Sequence, residues 1–310
     1  MTMPAPVALF AFNRPDHLRR TLSALAGNEL AAESDLTLFC DGPRSEPEKR
    51  LTDAVREVAA EATGFRSTAI IARERNIGCA AAVINGLEYM FTRHERLVVM
   101  EDDILCSPHT LRFLNAGLEK YEDEPVVFNI AAWSPPPRLM PVPESYPYDA
   151  YFIPRFNCWG WAFWRDRWEK VDWSVSNYDI FADTPCLQQA FNQGGDDLTP
   201  MLADQMAGRL NTWDIRMDYA RFKHGGVGCN PVRSHTTNIG MGTGTHCTER
   251  TTRWDNDLSL SKAETIFPDH IFFDANIVDA YRKAHDKPPL VLRAVNKGWR
   301  ILFGRNLVGV

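Results

Sequence analysis

The sequence predicts an α/β fold with a mostly parallel central sheet flanked by helices, and three observations carry that reading. Over residues 1–130, apolar runs of strand length alternate with stretches whose apolar residues recur at helical spacing. Alternation of those two periods implies βαβ units, and therefore parallel strands. Each strand-like run is followed by a polar or charged cluster: Asn13-Arg14, Asp41-Gly42, Arg75-Asn76 and Glu101-Asp102-Asp103. In open parallel sheets ligands bind beyond the carboxyl ends of the strands, so these clusters are expected to meet in one crevice.

In chain order, Pro6 to Phe12 reads as the first strand, and Asp16 to Ala26 carries Leu18, Leu22 and Leu25 on one helical face. Leu36 to Cys40 is a second strand, followed by a helical stripe through Leu51, Val55 and Val58 between Pro47 and Ala62. Thr68 to Ala72 is a third strand, after which Asn76-Ile77-Gly78 opens a helix bearing Ile84, Leu87 and Phe91. Leu97 to Met100 is the fourth strand. Ser107-Pro108 resembles an N-cap with proline at the first helical position, ahead of Leu111, Leu114, Leu118 and Tyr121. Beyond Trp133 the pattern changes: Ser134 to Tyr148 holds six prolines and is expected to be an extended surface connection. An aromatic segment, Phe156 to Arg165, follows, then Thr212-Trp213-Asp214 and a glycine-rich stretch from Asn238 to His246.

At 310 residues the chain is long enough for one large α/β domain or one and a half. Its 45% hydrophobic and 24% charged residues are ordinary globular composition. A formal net charge of −6 argues against nucleic acid as a partner. The charge is uneven: from Tyr281 onward seven Lys and Arg face Asp286 alone, so a basic tail follows an acidic body. Seven scattered cysteines, with no Cys-x-x-Cys pair, fit reduced thiols better than a disulfide framework or a zinc knuckle. The N-terminus enters Pro6–Phe12 without a basic leader or cleavage site, and no apolar run is long enough to span a bilayer; a cytoplasmic location is expected.

The run Leu97-Val-Val-Met100 ends abruptly in Glu101, Asp102 and Asp103. Three carboxylates at the end of a buried strand repel one another unless a cation or hydrogen-bond donors sit there. Carboxylate oxygens suit a hard divalent ion, Mg2+ or Mn2+, which commonly binds through one or two protein carboxylates and substrate phosphates. The alternative is an acidic loop that merely closes the strand.

A parallel α/β half, an aspartate ending the second strand, Asn-x-Gly opening the third helix and an acidic triplet after the fourth strand together resemble a GT-A glycosyltransferase. The triplet would be its Asp-x-Asp-type motif. Val99-Met-Glu-Asp-Asp-Ile104 with the downstream Trp213-Asp214 is similar to the N-acetylglucosaminyltransferase I-like branch and related bacterial nucleotide-diphospho-sugar transferases. The likeness covers roughly residues 6–247. It implies a nucleotide-binding half over 1–130 and an acceptor and catalytic half over 131–270 within one GT-A domain, leaving 271–310 as a tail.

Carried over by position, the resemblance implies that Arg14 and Asp41, with Asn76 beside them, hold the base; uracil N3–H is a donor that an aspartate accepts. Glu101 would meet the donor sugar, Asp102 the ribose, and Asp103 the metal bridging the diphosphate. Asp214 matches the catalytic base that takes a proton from the acceptor hydroxyl during inverting transfer. Asp218 is the fallback, and the plainer reading of Asp214 is a cap on a helix starting at Ile215. The plainer reading of Asp41 is a turn-forming Asp-Gly. Thr245 and His246, with Gly240, Gly242 and Gly244, form a donor-rich loop suited to folding over a diphosphate. Trp159, Trp161 and Trp164 are expected mainly in the core, with one of them or Trp213 lining the acceptor site, and Gly160 permits close approach of a sugar or of backbone.

The expected function is metal-dependent inverting transfer of a sugar, from a UDP-sugar, to a hydroxyl of a glycan or lipid-linked acceptor in surface polysaccharide assembly. A sugar-phosphate nucleotidylyltransferase would share the nucleotide half, but Phe12-Asn-Arg-Pro-Asp16 lacks the glycine-rich basic loop of that class. A catalytically silent carbohydrate-binding protein is the third reading, disfavoured by the acids at both Asp103 and Asp214. In the tail, Val291, Leu292, Val295, Trp299, Leu302 and Phe303 form one apolar stripe with Arg293, Lys297 and Arg300 off it. This is the pattern of a peripheral membrane anchor, or of a helix packed on the body or on a second copy.

Overall fold

The structure is a computed structural model that describes residues 3–242 and 251–286. Thr245, His246 and the amphipathic tail from Val291 lie outside the described residues.

The first half contains β1 (Val7–Ala11), α1 (Pro15–Ala26), β2 (Asp35–Cys40), α2 (Glu46–Ala60), β3 (Ser67–Ala72), α3 (Cys79–Phe91), β4 (Arg96–Glu101), β5 (Ile104–Cys106), α4 (Thr110–Lys120) and β6 (Val127–Ala131). The second contains β7 (Ala150–Ile153), β8 (Trp161–Trp164), α5 (Arg165–Trp168), α6 (Tyr178–Ala182), α7 (Pro185–Phe191), α8 (Leu198–Met206), α9 (Asp214–Lys223), β9 (Val227–Pro231), β10 (Thr236–Asn238) and α10 (Ala275–His285).

Eight strands form one sheet in the order β3-β2-β1-β4-β8-β6-β9-β7, while β5 and β10 make a separate antiparallel pair. The four sequence-read strands run parallel, as expected. From β4 onward the sheet is mixed: β8 is antiparallel to both β4 and β6, β9 is parallel to β6, and β7 is antiparallel to β9. The fold is thus α/β with a large central sheet flanked by helices.

Strand side chains alternate between faces, and β1 shows what each face packs against. Val7, Leu9 and Ala11 join Leu18, Leu22 and Leu25 of α1, Val55 and Val58 of α2, and Leu111, Leu114 and Leu118 of α4. Ala8 and Phe10 join Val83, Leu87 and Met90 of α3 with Met217 and Ala220 of α9 on the opposite face. Both faces being covered explains why β1, β2 and β4 read as continuous apolar runs, whereas β3, at the sheet edge, is largely exposed.

Two local expectations change. Helix α4 starts at Thr110, not at Pro108, because Ser107 turns inward: its Oγ lies 3.2 Å from Thr110 Oγ1 and 3.3 Å from His235 Nδ1. The proline-rich connection begins inside the protein, since Ser134, Pro135 and Pro136 are buried and only from Pro137 does the chain emerge. Ser134 bonds the Tyr151 hydroxyl at 2.7 Å, and its carbonyl accepts from Asn256 Nδ2 at 3.0 Å. Proline, which has no N–H to satisfy, is well suited to that buried passage.

Candidate active site

The carboxyl ends of β1, β2 and β4 meet at one crevice. β1 pairs with β4 in the register Phe10–Glu101, and the Asp102 N–H donates to the Phe10 carbonyl at 2.9 Å. Pro15 in the first turn of α1 fixes where that helix starts and leaves Arg14 as its cap residue. The Arg14 guanidinium consequently stands over the end of the neighbouring strand. Its Nη1 donates to Asp103 Oδ2 at 2.9 Å and its Nη2 to Asp102 Oδ1. The backbone of the acidic turn is held independently, with Thr21 Oγ1 donating to the Asp102 carbonyl at 2.8 Å.

The electrostatics follow from crowding three carboxyls around one guanidinium. Burial pushes Asp102 up to about 6, against the pull of Arg14 and with Asp103 adding to the rise. Glu101 is raised well above the carboxylate range by burial and then by the charges of Asp103 and Asp102. Burial works against the Arg14 charge, but the two aspartates outweigh it and hold the guanidinium charged.

Asp41 ends β2 and ties it to the turn before α3. Its carboxylate accepts from Gly42 N–H at 2.9 Å, from Asn76 Nδ2 at 2.8 Å and from Ile77 N–H at 3.3 Å. Burial raises the Asp41 pKa, and the N–H groups of Gly42 and Ile77 oppose the rise. The turn-forming role and a place in the crevice therefore coexist in this residue.

Arg14, Asp41, Asn76, Glu101 and Asp102 all line a cavity of about 290 Å3. Its aromatic wall is Phe10 stacked on Phe39, with centroids 4.9 Å apart, together with Phe12 beneath the Arg44 guanidinium. Cys79 and Asn211 are among the lining residues that the sequence reading gave no role in the site. Asn211 carries a legible signal, its place immediately before Thr212-Trp213-Asp214. Phe39 becomes legible only once the β1–β2 register sets it beside Phe10.

Asp214 arrives from the second half as the first residue of α9. Its Oδ1 accepts from Thr212 Oγ1 at 2.5 Å and from Ile215 N–H at 2.8 Å, while Oδ2 faces Cys158 Sγ at 3.9 Å. Burial and then the Asp214 charge drive the Cys158 thiol well up; Asp214 also adds to the rise at Cys79 in the cavity wall and at Glu101. Asp218 is not equivalent to it. It is 2% exposed, paired with Arg221 Nε at 2.6 Å, and accepts from Phe156 N–H at 3.0 Å.

The glycine-rich segment starts directly on the acidic turn. β10 pairs with β5, which carries Ile239 N–H to the Asp103 carbonyl at 2.8 Å. Trp161, Trp164 and Trp213 are buried, and Trp213 stacks on Trp161 at 5.3 Å, so Trp159 is the half-buried one of the four. The close approach at Gly160 is made by the protein itself: a Cβ there would sit 2.9 Å from Thr236 Cγ2, and its φ of +80° suits glycine.

Among the described residues no group of three or more His, Cys, Asp or Glu is gathered to hold a metal ion. Mg2+ or Mn2+ does not require one when phosphate oxygens and water complete its shell. Asp103, with 13% of its side chain exposed beside two crowded carboxyls, supplies a carboxylate of the right chemistry.

The fold is α/β, and at the carboxyl ends of its parallel strands lies a cavity lined by charged, polar and aromatic side chains. No protein-family model matches the chain, and no curated protein matches it. Among solved structures, the mannosyltransferase PcManGT from Pyrobaculum calidifontis, in complex with GDP-Man and Mn2+, is similar over 73% of this chain and 70% of that one, at 14% identity and a TM-score of 0.42. S. aureus TarS is similar over 74% of this chain and 36% of that one, at 10% identity and a TM-score of 0.41.

Proposed function

We propose that the chain is a metal-dependent inverting glycosyltransferase that moves a sugar from a UDP-sugar to a hydroxyl of a glycan or lipid-linked acceptor. The carrying observation is the cavity in which Asp41, Asn76, Arg14, Glu101 and Asp102 meet at the strand ends, with the Asp214 charge from the second half felt at Glu101 and Cys79 of its lining. In this reading the first half binds the nucleotide and the second presents the acceptor.

Asp41 accepts the uracil N3–H, Asn76 sets the Asp41 carboxylate, and the Phe10, Phe12 and Phe39 rings give the base an apolar wall. Glu101 meets hydroxyls of the donor sugar and Asp102 the ribose side. A divalent ion on Asp103 would stabilise negative charge on the leaving diphosphate. Thr245 and His246, outside the described residues, are assigned to the diphosphate on the sequence pattern, and the basic tail to a peripheral membrane contact.

Asp214 is the base. Thr212 and Ile215 pin its Oδ1, leaving Oδ2 to take the acceptor proton as the acceptor oxygen attacks the anomeric carbon opposite the diphosphate. The Asp214→Asn variant is expected to bind UDP-sugar with unchanged Kd by calorimetry and to lose roughly 100- to 10,000-fold in kcat. Undiminished kcat would remove Asp214 from this role, and a product with retained anomeric configuration would remove inversion.

A further inference from the structure

We propose that Arg14 is the resident counter-cation of the acidic turn: it occupies Asp103 and competes with a divalent ion for that carboxylate. The inference rests on the metal assignment made above and changes the part given to Arg14, from holding the base to competing with the metal.

Three features support it. The guanidinium forks across two carboxylates, with Nη1 2.9 Å from Asp103 Oδ2 and Nη2 on Asp102 Oδ1, a planar arrangement that a single lysine ammonium cannot reproduce. Of the two oxygens that Arg14 takes, one belongs to Asp103, the more exposed of the two aspartates at 13% against 3% of the side chain. The beginning of the glycine-rich segment is also packed onto this ion pair. Ile239 N–H bonds the Asp103 carbonyl at 2.8 Å, His17 Nε2 lies 3.1 Å from the Ile239 carbonyl oxygen, and a Cβ on Gly240 would overlap Asp103 Oδ2 and come within 2.7 Å of Arg14 Nη1. Glycine at 240 lets the backbone lie against the pair without separating it.

Asp103 has a second oxygen and spare lone pairs, so a metal ion can ligate it beside Arg14, but the two cations then repel each other across a part-buried carboxylate. A bare metal ion therefore weakens the charge-assisted contact from Arg14 Nη1 and leaves the guanidinium paired with Asp102 alone, which costs binding energy in a part-buried site. A metal ion arriving with a diphosphate brings phosphate oxygens that the released guanidinium can bond in exchange. Metal and nucleotide should therefore bind together, with little metal bound alone.

The test is calorimetry with Mn2+ alone and with Mn2+ plus UDP, on the full chain and on Arg14→Gln and Arg14→Lys, each checked for cooperative thermal unfolding. Wild type should bind Mn2+ alone weakly and much more tightly with UDP. Arg14→Gln should bind Mn2+ alone about tenfold or more tighter than wild type, since a charge-assisted contact no longer competes, while losing affinity for UDP with Mn2+. Arg14→Lys keeps the charge and reaches one carboxylate only, so it should show a smaller gain, and it carries the test should the glutamine variant fail to fold. A purely structural arginine would give a loss for Mn2+ alone. Wild-type coupling between Mn2+ and UDP with no gain in either variant overturns this inference alone. A wild type indifferent to Mn2+ with and without UDP overturns the metal assignment and the inference with it.

Discussion

At the scale of single residues, the site depends on side chains whose charge is set by burial, and one of its supports can be read by pH. His235 lies below the β5–β10 pair, 3% exposed, with its ring 4.6 Å from Phe113 and its Nδ1 3.3 Å from Ser107 Oγ. Burial lowers its pKa from 6.5 to about 4. The unfolded chain takes up this proton from about pH 6.5 downward, and the folded chain only near 4. The stability His235 contributes is therefore complete above pH 6.5 and is lost as pH falls through that window. His285, lowered to about 3 by burial, acts in the same sense. Replacing His235 with Gln, which does not titrate, should remove on the order of 2 kcal/mol of the difference in unfolding free energy between pH 7 and pH 4.5. Equal pH dependence in variant and parent would show that His235 titrates normally. Which residues were legible follows the same logic. Glu101, Asp102 and Asp103 stand out because three charges interrupt an apolar run, and Asp41 and Asn76 because they end strand-like segments. That Arg14 pairs with the triplet was not legible, because the contact exists only once β1 lies beside β4.

At the scale of elements, α3 lines the cavity through Cys79, Ala82 and Val83 and backs its aromatic wall with a glycine. A Cβ on Gly86 would lie 2.5 Å from Phe10 Cε1 and 3.3 Å from Phe39 Cδ1, the two stacked rings of the aromatic wall. Alanine gains roughly 1 kcal/mol of helix propensity over glycine, while forcing a methyl group into a filled core costs typically about 1–3 kcal/mol. The rings are sandwiched between helix and sheet, so the overpacking term should win. Gly86→Ala is expected to lower stability in denaturant unfolding and to weaken UDP binding by calorimetry as the wall shifts; a more stable variant with unaltered binding would contradict the assignment of that wall. The four parallel strands and their helices were legible because each is long enough to display its period. β5 to β10 were not, at three to five residues each, because their pairing joins segments distant in sequence. The proline-rich passage misled for a related reason: composition marks it as irregular but does not show what covers it.

For the whole molecule, β8 is the join between the halves. By pairing antiparallel with β4 on one side and β6 on the other, it makes a single sheet of strands from both, and α9 packs Met217 and Ala220 on the α3 face beside Trp161 of that strand. That arrangement brings Asp214 towards the acidic turn, and nothing in the order of motifs along the chain reveals it. No helix among the described residues is long and apolar enough to cross a membrane. A nucleotide-sugar site that needs a divalent ion is probed most directly by thermal unfolding across a panel of nucleotide sugars, with Mn2+ or with chelator. A ligand that binds only the folded protein stabilises it by about 2.7 kcal/mol at a hundredfold excess over its Kd. The Tm should rise with UDP-sugars in Mn2+, change little in chelator, and lose its Mn2+-dependent part in Asp103→Asn. A Tm unmoved by every nucleotide sugar, or raised equally in chelator and in Asp103→Asn, would contradict such a site.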